Sequence, residues 1–299
     1  MRGHIHTGVV CETATVVIED VRCRPECCEC GAEEVTTHPV FAFVRSGVFV
    51  KHVGSREIVG DTNQVVFFDQ NRPYRVSHPV AGGDDCTSFT FTEAAVRDVL
   101  SVCAPGRAEA DSHVLLTDRT PSEPCAALVQ QQFRKLACNG GMDSIAIDEI
   151  SLTLLARLLR STERQSGDPG SHARSNTRIA HRRLARDAQL YLASSFRESL
   201  DLVGIANAVD ISPFQLCRVF RRETGWTVHK YLVRLRLRAA LEALGEGHED
   251  LTSLALDLGF SSHAHLCDSF RTEFGITPSA ARTGLTVAQI RKLSKNLEA

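Results

Sequence analysis

One stretch near the C-terminus is written twice, and few architectures accommodate such a repeat. Leu202-Val203-Gly204-Ile205-Ala206 recurs as Leu251-Thr252-Ser253-Leu254-Ala255. Beyond a turn, Leu216-Cys217 with Phe220-Arg221, Glu223, Gly225 and Thr227 recurs as Leu266-Cys267 with Phe270-Arg271, Glu273, Gly275 and Thr277. The offset is 49 residues before the turn and 50 after it, so one residue is gained in the turn itself. A unit of short helix, turn and longer helix is therefore present in two copies, the pattern of paired helix-turn-helix motifs.

Local chemistry supports each copy. Leu202, Ile205, Ala206 and Val209 are spaced three and four apart and make one apolar helical face. Ser212 offers an N-cap hydroxyl, and Pro213 occupies the first helical position, where its missing N–H does no harm. Leu216, Val219 and Phe220 form the inward stripe, and Gly225 ends the helix. In the second copy Leu251, Leu254, Ala255 and Leu258 form the first helix, and Gly259 permits the sharp turn. Ser262 caps, and Leu266, Ser269, Phe270 and Phe274 line the inner side before Gly275.

At this point the chain resembles the AraC/XylS transcription regulators. The resemblance is carried by Phe220-Arg221-Arg222-Glu223-Thr224-Gly225 and by the connector Tyr231-Leu232-Val233-Arg234-Leu235-Arg236-Leu237 with Ala240 and Leu244. It continues through Gly259-Phe260-Ser261-Ser262 and Phe270-Arg271-Thr272-Glu273-Phe274-Gly275-Ile276-Thr277-Pro278. It covers roughly residues 180–285 and implies two motifs joined by a long helix, here from about Val228 to Leu244, entering successive major grooves. The groove repeat is about 34 Å.

Helical geometry gives the candidate DNA-contacting set. With Leu216, Val219 and Phe220 inward, Phe214, Gln215, Cys217, Arg218, Arg221 and Arg222 lie on or beside the outer face. Arg218 suits a bidentate guanine contact and Gln215 an adenine, while Arg221 and Arg222 suit phosphates. In the second motif the outward set is His263, Ala264, His265, Cys267 and Asp268, with Arg271 repeating Arg221. Asp268 stands where the first copy has Arg218. An aspartate only accepts hydrogen bonds and repels phosphate, so the second motif is expected to read its groove more weakly or through its histidines.

Charge divides the chain in the same sense. Residues 174–299 carry 18 Lys+Arg against 13 Asp+Glu, a net of +5, and residues 1–173 carry −7, giving the overall −2. The 299 residues allow about two domains, and 43% apolar content suffices for a core in each. No apolar run reaches the ~18 residues of a membrane span, and Met1-Arg2-Gly3-His4 opens no secretory signal, so a cytoplasmic location is expected.

The N-terminal part has another texture. Val40–Val44, Val48–Val50, Val65–Phe68 and Ser88–Phe91 are short valine- and phenylalanine-rich runs. Ser46-Gly47, Gly60-Asp61, Asn71-Arg72-Pro73 and Gly82-Gly83-Asp84 punctuate them, the pattern of a small antiparallel barrel or sandwich. The resemblance implies a cupin-like, ligand-sensing barrel. Glu123–Cys138 and Asp143–Arg160 read as amphipathic helices. The stripe Ile147, Ile150, Leu154, Leu155 and Leu158 serves either a homodimer or packing on its own barrel.

The expected class is therefore α+β: an N-terminal cupin-like β-barrel with helices and a C-terminal all-α domain with two helix-turn-helix motifs. Residues 1–162 form the sensing and dimerisation domain, with the barrel at about 5–100 and helices at about 123–160. Residues 163–177 form a linker, 178–285 the DNA-binding domain and 286–299 a tail. Ser166-Gly167-Asp168-Pro169-Gly170-Ser171 has the composition of a flexible tether.

No catalytic set is legible. His38, His52 and His78 stand singly, without the paired histidines and glutamate of a metal-dependent cupin, and no nucleophile motif or phosphate-cradling loop appears. The chemically loud feature is Cys23-Arg24-Pro25-Glu26-Cys27-Cys28-Glu29-Cys30, with four of the chain's 11 cysteines in eight residues. In a reducing compartment this is either an incidental loop or a thiolate site for zinc or another thiophilic ion, with Cys23, Cys27, Cys28 and Cys30 as ligands. The expectation is a regulator of double-stranded DNA controlled by a small effector, with RNA polymerase as a partner if it activates and no membrane partner. The alternatives are a metal or thiol-stress sensor on the same scaffold and, more remotely, a repair activator with a methyl-accepting cysteine.

Overall fold

The computed structural model describes residues 4–26, 30–103, 115, 117–138, 140–166 and 175–295. The N-terminal half begins with strands β1 (His4–Glu12), β2 (Val16–Arg24), β3 (Val40–Val53), β4 (Arg56–Asp61), β5 (Gln64–Phe68), β6 (Arg75–Ser77) and β7 (Asp84–Phe91). Helix α1 (Glu93–Cys103), strand β8 (Arg119–Pro121), and helices α2 (Pro124–Cys138) and α3 (Ser144–Ser166) follow. Every strand pairing is antiparallel, and one sheet runs β1-β2-β7-β3-β5-β8. The fold is α+β, with an antiparallel β-domain preceding an all-α part.

Ser46-Gly47 is not a strand boundary. A bulge between Val44 and Ser46, with Gly47 at φ +75°, bends β3 without ending it. Its first half pairs with β5 and β7 and its second half with β4 and β6, so one 14-residue strand forms the corner of the domain. Gly60-Asp61 likewise ends β4 rather than standing in a loop.

Alternation along the strands sends Val16, Ile18, Phe41, Phe43, Val65, Phe67, Phe89 and Phe91 into one core. Helices cover it, with Val96 and Leu100 from α1 and Val129 and Phe133 from α2. The α3 stripe of Ile147, Ile150, Leu154, Leu155 and Leu158 is wholly buried in that core. It packs on its own barrel, and the use of that stripe for dimerisation is corrected. Each such buried side chain stabilises by about 1.5–3 kcal/mol, so the stripe is spent within the chain.

The C-terminal half comprises α4 (Ser175–Ser195), α5 (Leu202–Ala208), α6 (Pro213–Thr224), α7 (Val228–Gly245), α8 (Leu251–Asp257), α9 (His263–Phe274), α10 (Pro278–Thr283) and α11 (Val287–Lys295). Residues 167–174 of the expected tether lie outside the described residues, and helices reach into both of its ends. The connector α7 contributes to two cores. Tyr231, Leu232 and Leu235 join Leu216 and Phe220 in one, and Leu237, Ala240, Leu241 and Leu244 join Leu266 and Phe270 in the other.

The two halves are closely docked. Ala127 and Leu128 of α2 are buried in the second C-terminal core. Helix α11 returns the favour across the interface: Ile290 is buried in the N-terminal core, and Arg291 pairs with Glu149 of α3 at 2.9 Å. The tail thus clamps the halves together.

Candidate nucleic-acid interface

Both helix-turn-helix units are built from local capping chemistry. Asp201 accepts from Gly204 N at 2.6 Å to start α5, and Asp250 accepts from Thr252 N at 2.8 Å to start α8. The closing bonds of the two turns match. Ile211 N donates to Ala206 O at 3.1 Å, and Phe260 N donates to Ala255 O at 2.9 Å. The left-handed residue before each bond is Asp210 (φ +55°) in the first unit and Gly259 (φ +77°) in the second. Ser212 and Ser262 are the N-caps of α6 and α9, so the residue gained in the second copy is Ser261. Gly225 and Gly275 close the long helices at φ +78° and +73°.

The outward face of α6 carries the expected residues. Phe214, Gln215, Cys217, Arg218, Arg221 and Arg222 are all exposed, while Leu216, Val219 and Phe220 are buried. Arg218 and Arg221 make no side-chain ion pair or hydrogen bond among the described residues, which leaves both guanidinium groups available. Arg222 is held by Glu223 Oε1 at 2.6 Å and by the ring of His181 on α4. His181, Arg218, Arg221 and Arg222 line one basic cleft beside α6. Sequence reasoning missed His181, because nothing in α4 marks which turn faces α6.

Gln215 has a second task. Its Oε1 accepts from Ser212 N at 3.4 Å, while Gln215 N donates to Ser212 Oγ at 3.2 Å, forming a capping box. A bidentate adenine contact therefore requires opening that box.

On α9, His263, Ala264, His265, Asp268 and Arg271 are exposed and Cys267 is half-buried. The Cys267 sulfur lies 3.4 Å from His263 Nε2. His265 Nδ1 lies 3.0 Å from Ser261 Oγ, and its ring stands edge-on to Phe260 at 5.3 Å. These contacts order the histidines at the start of the helix.

The connector is seated on the N-terminal half. Asn63 Nδ2 donates to Tyr231 O at 3.1 Å, and the Tyr231 hydroxyl lies buried between Asp61 and Gln189. Arg234 and Arg238 both donate to Ser122 O at 2.6 Å. Arg234 also pairs with Glu273 of α9 at 2.7 Å and stacks 3.8 Å over Trp226. Near the end of α7, Glu242 pairs with Arg45 at 2.5 Å and with Arg134 at 3.0 Å. Arg236 Nη1 donates to Gly259 O and its Nε to Phe196 O, both at 2.7 Å, tying the second turn to the first unit.

The cysteine stretch is only partly described. Cys27 and Cys28 lie outside the described residues, and Cys30 is exposed. Among the described residues Cys23, in β2, has its sulfur near His78 and Asp84, and the expected partners Cys27 and Cys28 fall outside them.

Comparisons with known proteins fall on the same region. Residues 205–284 match the helix-turn-helix domain family. Among curated proteins, the HTH-type transcriptional activator RhaS of Escherichia fergusonii is 29% identical over 153 residues, 51% of each chain. RhaS of Citrobacter koseri is 32% identical over 161 residues, 52% of this chain and 54% of that one. The chain spans about half the length of the curated relatives it matches. A solved transcriptional regulator from Chromobacterium violaceum, described by its AraC-type DNA-binding domain, is 30% identical. That match covers 35% of this chain and 94% of that one, with a TM-score of 0.33. The doubled motif and its connector coincide with the matched domain: residues 205–284 form a helix-turn-helix domain similar to those of the HTH-type transcriptional activators RhaS.

Proposed function

We propose that this protein is a sequence-specific transcription regulator that binds double-stranded DNA through α6 and α9. The observation that carries this reading is the repeated unit, with matching caps, that presents Arg218 and Arg221, unpaired among the described residues, beside a buried connector. An 18-residue helix such as α7 is about 27 Å long, most of one groove repeat. The reading assigns no reaction to the chain. It places the protein in the cytoplasm, and among the described residues no helix is long and apolar enough to cross a membrane.

The finer reading is control by a small effector at the N-terminal domain. Phenylalanine rings fill the described barrel interior, so the control point is the cleft between barrel and connector, lined by Arg45, Gln130, Gln131, Arg238 and Glu242. Arg238 Nη1 and Gln131 Nε2 are buried there without hydrogen-bond partners among the described residues, and they suit an effector bearing acceptor oxygens. An effector that prefers one seating of α7 shifts how α6 and α9 are presented. Homodimerisation, contact with RNA polymerase in an activating role, and activation itself as in the RhaS relatives belong to this reading.

Binding of the full chain to labelled duplex across a salt series tests it. The expected result is a linear fall of log affinity with log salt, similar in slope on selected and random duplexes, with the selected duplex bound more tightly throughout. No retention of duplex at low salt would contradict the reading.

A further inference from the structure

We propose that Cys23, His78 and Asp84 form a site for a thiophilic divalent cation, zinc above all, at the rim of the β-domain. Cys23 and Asp84 are directly opposed in the β2–β7 register, so their side chains share a face. His78 directly follows β6, and the turn after it returns the chain to Asp84 at the start of β7, beside His78. The turn is closed by backbone that only glycine admits. A Cβ on Gly83 (φ +72°) would lie 1.9 Å from Cys23 O, and one on Gly47 (φ +75°) would lie 2.0 Å from Gly83 O.

The ligand atoms of all three residues lie within 4.8 Å of one another. Zinc–sulfur bonds of about 2.3 Å and zinc–nitrogen or zinc–oxygen bonds of about 2.0–2.2 Å imply tetrahedral donor separations of roughly 3.3–3.8 Å. The His78 Nε2–Asp84 Oδ1 pair, 2.6 Å apart, opens to that range and the wider separations close to it, so the ion replaces this hydrogen bond. His78 and Asp84 are buried, 6% and 5% exposed, and half-buried Cys23 forms the open side by which an ion enters. A thiolate, an imidazole and one carboxylate select zinc or a softer ion over magnesium or calcium.

The surroundings orient the set. His78 Nε2 lies 2.6 Å from Asp84 Oδ1, and the Cys86 thiol donates to Asp84 Oδ2 at 3.0 Å, so both carboxylate oxygens are positioned. Ion binding to a thiolate and a neutral imidazole releases protons. Three protein ligands leave a fourth position for water or an incoming thiol. Gly31 N donates to Val76 O at 2.8 Å, which fastens the backbone next to Cys30 beside β6, one strand residue away from the approach to His78. The site uses one cysteine of the dense N-terminal run and two residues that spacing does not connect to it.

The test uses the full chain loaded with zinc or cobalt(II) and freed of excess metal by gel filtration. The expected result is about one zinc per chain, reduced about tenfold or more in Cys23→Ser and in His78→Ala. Cobalt(II) should give a thiolate-to-metal charge-transfer absorption that disappears in Cys23→Ser and persists in Cys27→Ser/Cys28→Ser/Cys30→Ser. Cobalt absorption in the unmodified chain is read without any substitution, so misfolding of a variant does not decide the matter. Absence of both zinc and the cobalt band in the unmodified chain would overturn the site. So would a band that survives Cys23→Ser or vanishes in the triple variant.

Discussion

The Tyr231 hydroxyl donates to Asp61 Oδ2 at 2.5 Å, joining the helix between the two reading units to the end of β4 in the N-terminal half. Both residues are fully buried, and Gln189 of α4 donates to the same hydroxyl at 2.7 Å. One phenol thus touches three elements: the connector, the first helix of the C-terminal half and the barrel. A change in the barrel at Asp61 is felt directly by the helix that sets the relation of α6 to α9.

Tyr231→Phe should loosen this seating. It removes the donor to a buried carboxyl and leaves Gln189 without its acceptor, a loss of about 1–3 kcal/mol by denaturant unfolding. Burial raises the Asp61 carboxyl above the ordinary range despite the opposing hydrogen bond from Tyr231. A raised acid contributes stability that is present below its unfolded pKa and lost as pH rises through the folded value. Asp61→Asn abolishes that titration, so its stability relative to the unmodified protein should improve as pH rises from about 4. Parallel stability profiles for the two proteins would contradict this assignment.

Arg218 and Arg221 should separate in their effects. Arg218→Ala is expected to cost about 1–3 kcal/mol on the selected duplex and to relax preference at one base position. Arg221→Ala should weaken all sequences alike and lower the salt slope by about one. Equal loss on selected and random duplexes for Arg218→Ala would remove it from base reading.

Asp268 occupies the place on exposed α9 that Arg218 holds on α6. Asp268→Arg should raise affinity for random duplex and shift base preference in the second half-site only. Titration of both duplexes, followed by reselection of the variant's sites, checks this. Unchanged behaviour in both would mean that the residue faces solvent in the complex.

The two turns differ at one left-handed residue. A Cβ on Gly259 would lie 2.7 Å from the Arg236 guanidinium and 3.0 Å from Arg197 O, at φ +77°. Gly259→Ala should therefore cost at least about 1–2 kcal/mol, whereas Asp210→Gly at the matching position should cost little or stabilise. Thermal unfolding of both variants reads the difference.

The helix-turn-helix units were legible because caps, stops and apolar spacing are local, so Ser212, Ser262, Gly225 and Gly275 identify themselves. The barrel was less so. Ser46-Gly47 has turn chemistry, but cross-strand pairing on both sides carries β3 through it as a bulge. The strands β1 and β2 escaped notice because their alternation is diluted by exposed polar residues. Docking was invisible, since Arg234 and Arg238 look like surface charges until Ser122 O is placed between them. The pairing of Cys23 with Asp84 also depends on strand register, which cysteine spacing does not encode.

Selection of duplexes from a random pool by the full chain tests the central claim most directly. The account predicts two recurring half-sites per DNA-binding domain, centred about 10–10.5 base pairs apart on one face of the duplex, with the half-site read by α6 the more sharply defined. Enrichment of a single half-site, or of none, would contradict it.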